Sequence, residues 1–381
     1  MAQNHKKYYT PSQQKPYFLI LGMGQTGQSF ARFLQAHPLF IFDSRNKETL
    51  KKPFQSISKD ATLYLETLPQ ALLAQVQTIF ISPGFDLEHP ICQYAKKHGI
   101  PMLSDSDVWV HHNHTPILAI TGTNGKTTSC NLLAALLESA GKKTQVMGNN
   151  GVQMLDHITN ADLDYAVMEL SSFQLERSGH FHAHCATILN ISPDHLDVHP
   201  NFQAYQQAKY HIFKNCPHPV LPSNLDHTAV PDAHIVSSQT KPQEQGVCMI
   251  KQKIYYGLEP LIDTSQLSPS LSFAHQIHNL LLILTMLKVI GIQADGFKST
   301  LEKFAAPAHR LETIKHEPVH WINDSKATNI PATIAALKSL SPKPIILLLG
   351  GVGKGQDFKI LAQFLDHKRL KKIIIFGQDQ S

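Results

Sequence analysis

Short apolar runs alternate with polar, helix-length segments along most of this chain. Tyr17–Leu21 is an apolar run that ends in a glycine-rich turn and continues as an amphipathic segment, QTGQSFARFLQ, so it predicts a strand, a turn and a helix. Further short strands are predicted at Leu39–Phe42, ending on Asp43, and at Thr78–Ile81, just before Ser82-Pro83-Gly84. The polar, His-rich stretch SDSDVWVHHNHTP reads as a linker. After Pro116 the pattern restarts. The strand ILAIT runs into GTNGKTT and then a helical pattern whose C-cap is Gly141. Buried strands are expected near Tyr165–Leu170 and Ala186–Asn190, a polar, Pro-rich periphery over 217–275, and then a helix carrying His278 and Asn279. Beyond a junction at Phe304–His309 come a strand at Val319–Asn323, a helix at Ile330–Leu340 and strands at Ile345–Leu349 and Lys372–Phe376. Strands alternating with helices indicate parallel α/β sheets. The breaks divide the chain into residues 1–113, with 1–16 as a flexible tail, 114–303 and 304–381.

Composition narrows the class. The 381 residues are 42% hydrophobic and 17% charged, enough apolar content to exclude a disordered chain. No apolar run approaches the roughly 18–20 residues of a membrane span, and the N-terminus lacks the apolar centre of a signal peptide. Five scattered cysteines form no C-x-x-C pair, which fits a reducing cytoplasm better than a disulfide framework. A net charge of +5 without a dense Lys/Arg run permits anionic ligands and does not argue for nucleic acid.

The strongest chemical signal is Thr121–Thr128, TGTNGKTT, between a strand and a helix. Small residues let main-chain N–H groups approach phosphate oxygens, the lysine meets terminal phosphates, and a threonine hydroxyl is a ligand for Mg²⁺. Ile120 stands where the usual pattern has its first glycine. Gly22-Met23-Gly24-Gln25-Thr26-Gly27 with Asp43 fits a nicotinamide site, another diphosphate nucleotide or a tight structural turn equally well. Glu169 ends an apolar strand and is a metal-ligand candidate. His195 is another, with Asp194 or Asp197 to orient it. Lys209 and Arg310, read singly, pass for a surface lysine and a linker charge. NDSKATN (Asn323–Asn329) and GGVGKG (Gly350–Gly355) are polar loops after strands, either anion cradles or ordinary caps and turns.

Taken together and in this order, the motifs resemble the Mur ligases of peptidoglycan synthesis, over about Tyr17 to the C-terminus. ELSSFQLE (Glu169–Glu176) and NDSKATN are typical of the D-glutamate-adding members. The resemblance implies three domains: Rossmann-like, P-loop-type ATPase, and a shortened Rossmann-like C-terminal domain. It implies a cytoplasmic, monomeric enzyme that phosphorylates the carboxylate of UDP-N-acetylmuramoyl-L-alanine with ATP and joins D-glutamate to it.

By the same resemblance, Thr26, Asp43, Ser44, Arg45, Gly84 and Asn149 meet the UDP substrate. Gly122, Thr123, Asn124, Gly125, Lys126, Thr127 and Thr128 hold the ATP phosphates, and Asn279, Arg310 and Asp324 meet the nucleotide. Two Mg²⁺ ions fall to Thr127 with Glu169 and to His195 with a carbamylated Lys209. Lys326, Thr328 and Lys354 face D-glutamate and the transferred phosphate. Three features depart from the pattern: Val352 in place of an aspartate, Leu282 in place of a second asparagine after Asn279, and no match to the family's SPAxxSxD loop before Ser381. The unmatched loop and Val352 motivate a second reading, a non-catalytic remnant that binds UDP-sugar or ATP. The short third domain would leave its last strand an exposed edge.

Overall fold

The computed structural model describes residues 16–58, 60–160, 162–236, 241–244, 246–315, 319–340, 344–353, 356, 358–365 and 369–377. The predicted flexible tail lies almost wholly outside them. They form two compact units. One holds the described residues up to Ala119 with Lys143–His184 and His211–Cys216; the other holds Ile120–Lys142, Cys185–Tyr210 and the described residues from Pro217 onward.

The first unit opens with β1 (Tyr17–Leu21), α1 (Gln25–Phe33), β2 (Leu39–Asp43), α2 (Lys52–Ile57), β3 (Thr62–Leu65), α3 (Gln70–Leu73), β4 (Val76–Ile81), α4 (Pro90–His98), β5 (Met102–Leu103) and α5 (Asp105–His112). The five strands pair in parallel in the order β3-β2-β1-β4-β5. Alternate residues of β1 feed two cores. Phe18 and Ile20 pack with Phe30, Ile41 and Phe80, while Leu19 and Leu21 pack with Phe40, Phe42 and Ile79. A strand covered on both faces is apolar throughout, which is why YFLIL shows no period-two alternation. The chain order reverses between β1 and β4, and a crevice at such a reversal is where open α/β sheets bind ligands. The glycine-rich turn follows β1 there. Gly22 has φ +99°, and a Cβ on it would sit 2.9 Å from Ser82 Cβ and Oγ. Gly27 lacks the Cβ that would collide with the Gly22 carbonyl, so α1 can begin directly against the turn.

The predicted linker at 104–116 is a correction: most of it is α5. Ser104 Oγ accepts from Asp107 N–H at 3.1 Å, and Asp107 Oδ2 accepts from Ser104 N–H at 3.1 Å. This is a capping box, and it starts a helix that buries Val108 and Trp109. Asp105 is also buried; its carboxylate accepts from Ser106 N–H at 2.9 Å and from Gln174 Nε2 at 3.4 Å.

β6 (Ile117–Thr121) leads into α6 (Lys126–Ser139) of the second unit. In the first unit, β7 (Thr144–Gly148) and β8 (Tyr165–Glu169) pair in parallel, and α7 (Ser172–Arg177) starts with a Ser171–Gln174 capping box. In the second, β9 (Cys185–Ile188) is followed by α8 (Phe202–Tyr210), β10 (His218–Pro222) and β11 (His234–Val236); β10 pairs in parallel with both β9 and β11. The 217–275 region also holds an antiparallel meander of β12 (Val247–Ile250), β13 (Lys253–Tyr256) and β14 (Glu259–Asp263). Helix α9 (Ala274–Val289) buries every residue from Asn279 to Leu287, Leu282 included, and α10 (Phe297–Lys303) follows.

The last stretch comprises a hairpin of β15 (Glu312–Lys315) and β16 (His320–Asn323), then α11 (Ile330–Ser339), β17 (Ile345–Gly351), α12 (Lys359–Ala362) and β18 (Leu370–Gly377). β17 and β18 are parallel, and Ile330, Leu337 and Leu361 pack beside β17. Among the described residues β18 pairs with β17 alone, and its Ile374, Ile375 and Phe376 are exposed.

Candidate functional site

Two groups of predicted residues lie in the first unit. At the end of β2, Asp43 accepts from Met23 N–H at 2.7 Å, from Arg45 N–H at 3.0 Å and from the Arg45 guanidinium at 2.8 Å through both Nε and the second terminal nitrogen. Burial pushes this carboxyl up, but the Arg45 side chain and the two main-chain donors outweigh it, so its pKa lies below the usual value. Asp43 thus aims Arg45 and locks the glycine-rich turn. Ser44 and Gly84 are exposed, and open space surrounds the position of a Gly84 Cβ. Thr26 Oγ1 donates to Gln153 Oε1 at 3.2 Å.

The second group ends β7 and β8. Asn149 donates its main-chain N–H to the Glu169 carbonyl at 2.8 Å and its side-chain Nδ2 to Glu169 Oε1 at 2.9 Å. Glu169 is 2% exposed, and its Oε2 is buried with no hydrogen-bond partner among the described residues. A buried carboxylate oxygen left unsatisfied costs roughly 1–3 kcal/mol or more. It suits a hard cation, which takes oxygen ligands.

The phosphate loop lies in the second unit. Gly125 takes φ +86° immediately before α6, and a Cβ there would sit 2.6 Å from Asn279 Nδ2. The predicted nucleotide residue on α9 therefore abuts the loop. Lys126 folds back, donating to the Gly122 carbonyl at 2.8 Å and the Thr123 carbonyl at 3.0 Å. Thr123 Oγ1 lies 3.0 Å from the Tyr205 hydroxyl. Thr128 is buried, and Thr127 Oγ1 accepts from the Arg310 guanidinium at 2.8 Å. Arg310 sits between His309 (φ +66°) and Leu311 (φ +49°), two non-glycine residues in the left-handed region. Leu311 N–H donates to Asp324 Oδ1 at 3.1 Å. Burial raises the Asp324 pKa, while this bond and the Arg310 charge counter it.

Lys209, on α8, is 2% exposed. Its Nζ donates to the Gly122 carbonyl at 3.0 Å and to Thr121 Oγ1 at 3.4 Å, and lies 4.7 Å from the centre of the Tyr205 ring. Burial drives its pKa well below the ordinary lysine value, the Lys126 charge pushes the same way, and Asp194 opposes both. A lysine held like this carries far more neutral amine at neutral pH than an exposed one. His195 has φ +54°; its N–H donates to Asp194 Oδ1 at 2.9 Å, and its Nε2 lies 3.9 Å from Asp194 Oδ2. Lys326 and Thr328 are exposed on the loop before α11, as is Val352 after β17. Lys354 lies outside the described residues.

The second unit thus brings Gly122–Thr128, Asn279, Arg310 and Lys209 around one loop, with Asp324 tied to the residue after Arg310. The surface and linker readings of Lys209 and Arg310 do not hold. Read from the sequence, Asn190 and Tyr205 have no assigned role and Asn329 counts only as part of the NDSKATN loop; in the fold Tyr205 lies against Thr123, and Asn190 and Asn329 both bond Asn124. For Asn329 a signal existed: an asparagine just before Ile330-Pro331 is a helix N-cap signature.

A strand, a glycine-containing loop with Lys-Thr, and a helix starting from it define the phosphate-loop class of α/β proteins. Family models match along the chain: a MurD-like Mur ligase N-terminal domain at 17–104, a Mur ligase middle domain at 120–252 and a Mur ligase glutamate ligase domain at 309–381. The chain is 34% identical over 377 residues to the UDP-N-acetylmuramoylalanine–D-glutamate ligase of Nitrosococcus oceani, covering 95% of this chain and 82% of the relative. It is 35% identical over 379 residues to that of Acinetobacter baylyi, covering 95% and 83%. The chain belongs to the Mur ligase family. Solved structures of MurF from Acinetobacter baumannii (TM-score 0.57, 18% identity, 95% of this chain and 78% of that one) and of MurF ligase from Thermotoga maritima in complex with ADP (0.56, 13%, 99% and 87%) share the three-domain fold.

Proposed function

We propose that the chain is an ATP-dependent ligase that joins D-glutamate to UDP-N-acetylmuramoyl-L-alanine, working as a cytoplasmic monomer with domains at 1–113, 114–303 and 304–381. What carries this reading is the identity to ligases of that name along nearly the whole chain; it weighs against the remnant reading. The free cysteines, four of them buried, suit a reducing compartment.

A carboxylate is a poor acyl donor. Phosphorylation of the L-alanine carboxylate by ATP makes an acyl phosphate, and attack by the D-glutamate amine then expels phosphate. The main-chain N–H groups of Gly122–Thr128 and the start of α6 bind the ATP phosphates. Lys126, now turned onto loop carbonyls, swings to the transferring phosphoryl group. Arg310 brings positive charge to Thr127, and Asn279 lines the loop's flank. Asp43 presents Arg45 to the UDP diphosphate. Lys326, Thr328 and Lys354 receive D-glutamate and the departing phosphate.

Mg²⁺ ions, when bound, neutralise charge on the phosphates. The orphaned Glu169 oxygen would help to hold one, and His195 and Lys209 the other. Lys209 serves as a carbamate: its neutral amine adds to carbon dioxide, forming an N–C bond and losing a proton, and the product offers oxygen in place of a cation. The buried, pKa-depressed amine supports this step.

Purified protein given the UDP substrate, ATP, Mg²⁺ and D-glutamate should release phosphate only when all four are present. ATP binding without phosphate release under these conditions would overturn the proposal.

A further inference from the structure

Asn329 sits in a chain of amides that runs from the phosphate loop to His195. Asn190 grips the Asn124 main chain: Asn124 N–H donates to Asn190 Oδ1 at 2.9 Å, and Asn190 Nδ2 donates to the Asn124 carbonyl at 3.0 Å. Asn329 grips the Asn124 side chain through a reciprocal amide pair of 3.1 and 3.0 Å. The same Asn329 Nδ2 donates to Asp194 Oδ2 at 3.0 Å, and its Oδ1 accepts from Ala332 N–H at 3.0 Å, capping α11. A side-chain amide has two donors and two lone pairs, and all four are used. Flipping the amide would set its NH₂ against Ala332 N–H and its oxygen against Asp194, so the orientation is fixed. Asn329 is 5% and Asp194 7% exposed, so neither can exchange these bonds for water without opening the structure. The other Asp194 oxygen holds the N–H of His195, in the left-handed backbone conformation.

We propose that Asn329 is a positioning residue: it ties the NDSKATN loop to Asn124 of the phosphate loop and, through Asp194, to His195, so that both keep their geometry only while this loop is seated. The catalytic part of the claim rests on the ligase reading above; the structural part does not. Energetically, a side chain that bonds a buried carboxylate and an amide at once is expensive to leave half-satisfied.

The rival account is that Asn329 merely caps α11. Asn, Asp and Ser cap helices about equally well, so Asn329→Asp and Asn329→Ser separate the two. Positioning predicts that both variants lose the tie, each for its own reason. In Asn329→Asp two carboxylates face each other, and in Asn329→Ser the donors to Asn124 and Asp194 vanish without added charge. Amide exchange of nucleotide-free protein, read over residues 122–126 and 194–198, should quicken about tenfold or more in both variants, by the cost of unpaired buried groups. Adding Asp194→Asn to Asn329→Asp replaces the repulsion with a donor facing an acceptor and should recover most of that protection. In the ligase assay each single variant should lower kcat/KM for ATP about tenfold or more. Wild-type exchange in both single variants would overturn the proposal, as would failure of Asp194→Asn to recover Asn329→Asp. Should Asn329→Asp not fold, the Ser variant decides alone. If the wild-type protein releases no phosphate, the ligase reading fails, and the exchange data still judge the positioning role.

Discussion

Replacing Lys209 with methionine should make the protein more stable and inactive. The side chain is almost fully enclosed, and burial together with the Lys126 charge lowers its pKa far below that of an unfolded lysine. The sign follows from proton binding. Between the lowered folded pKa and the unfolded value of about 10.4, the unfolded chain binds a proton that the native protein does not, so native stability rises with pH across that window. Below the window the native state carries a buried cation at full cost. Methionine keeps the length and apolar stem and removes the charge. Two hydrogen bonds are lost, but the Gly122 carbonyl keeps its 2.8 Å bond from Lys126, so the loss is about 1 kcal/mol. Each pKa unit of depression returns roughly 1.4 kcal/mol. The melting temperature should therefore rise, by roughly 2–4 °C for each 1 kcal/mol of net gain in a unit of this size. The assay is thermal melting against pH in degassed, bicarbonate-free buffer, where a carbamate reverts. Phosphate release should be lost in the same variant. A lower Tm for Lys209→Met, or a wild-type stability that does not climb with pH in that window, would refute the reasoning.

Other outcomes follow from the same geometry. Gly125→Ala combines a left-handed backbone with a Cβ 2.6 Å from Asn279 Nδ2, so ATP binding by calorimetry should weaken about tenfold or more, with a strain of about 1–2 kcal/mol. Asn149→Ala removes the donor that orients Glu169; the Mg²⁺ concentration for half-maximal activity should rise about tenfold, the usual loss when a ligand's supporting group is removed. Burial pushes the Asp105 carboxyl up to about 6, against hydrogen bonds from Ser106 and Gln174. The unfolded chain therefore loses this proton first, and stability should fall as pH rises from about 4 to 6; Asp105→Asn should flatten that segment of the melting profile.

Much of this was legible in the chain itself. YFLIL before GMGQTG and ILAIT before GTNGKTT announced parallel α/β units, because strands covered on both faces are uniformly apolar and glycines mark close approaches. The linker reading of 104–116 failed because Ser, Asp and His suggested solvent, although Ser104 and Asp107 three residues apart also spell a helix start. Lys209 and Arg310 were opaque one at a time: burial and partners are tertiary properties, and only the fold brings Lys209 under Gly122 or Arg310 onto Thr127. The amide chain through Asn329 joins residues more than a hundred positions apart, and no local pattern encodes such a pairing.

That amide chain also bears on chemical ageing. Asn124 precedes Gly125, a pair prone to deamidation, in which the glycine main-chain nitrogen attacks the asparagine side-chain carbon and expels ammonia, and water then opens the resulting succinimide ring to aspartate or isoaspartate. The attack needs the Asn124 side chain to swing toward its own backbone, and Asn190 and Asn329 hold that residue from both sides. Ammonia loss at Asn124, followed by mass spectrometry over days, should be slow while the NDSKATN loop is seated and fast once it lifts. The phosphate loop thus carries its own clock, and shelf life becomes a measure of how long the NDSKATN loop stays seated.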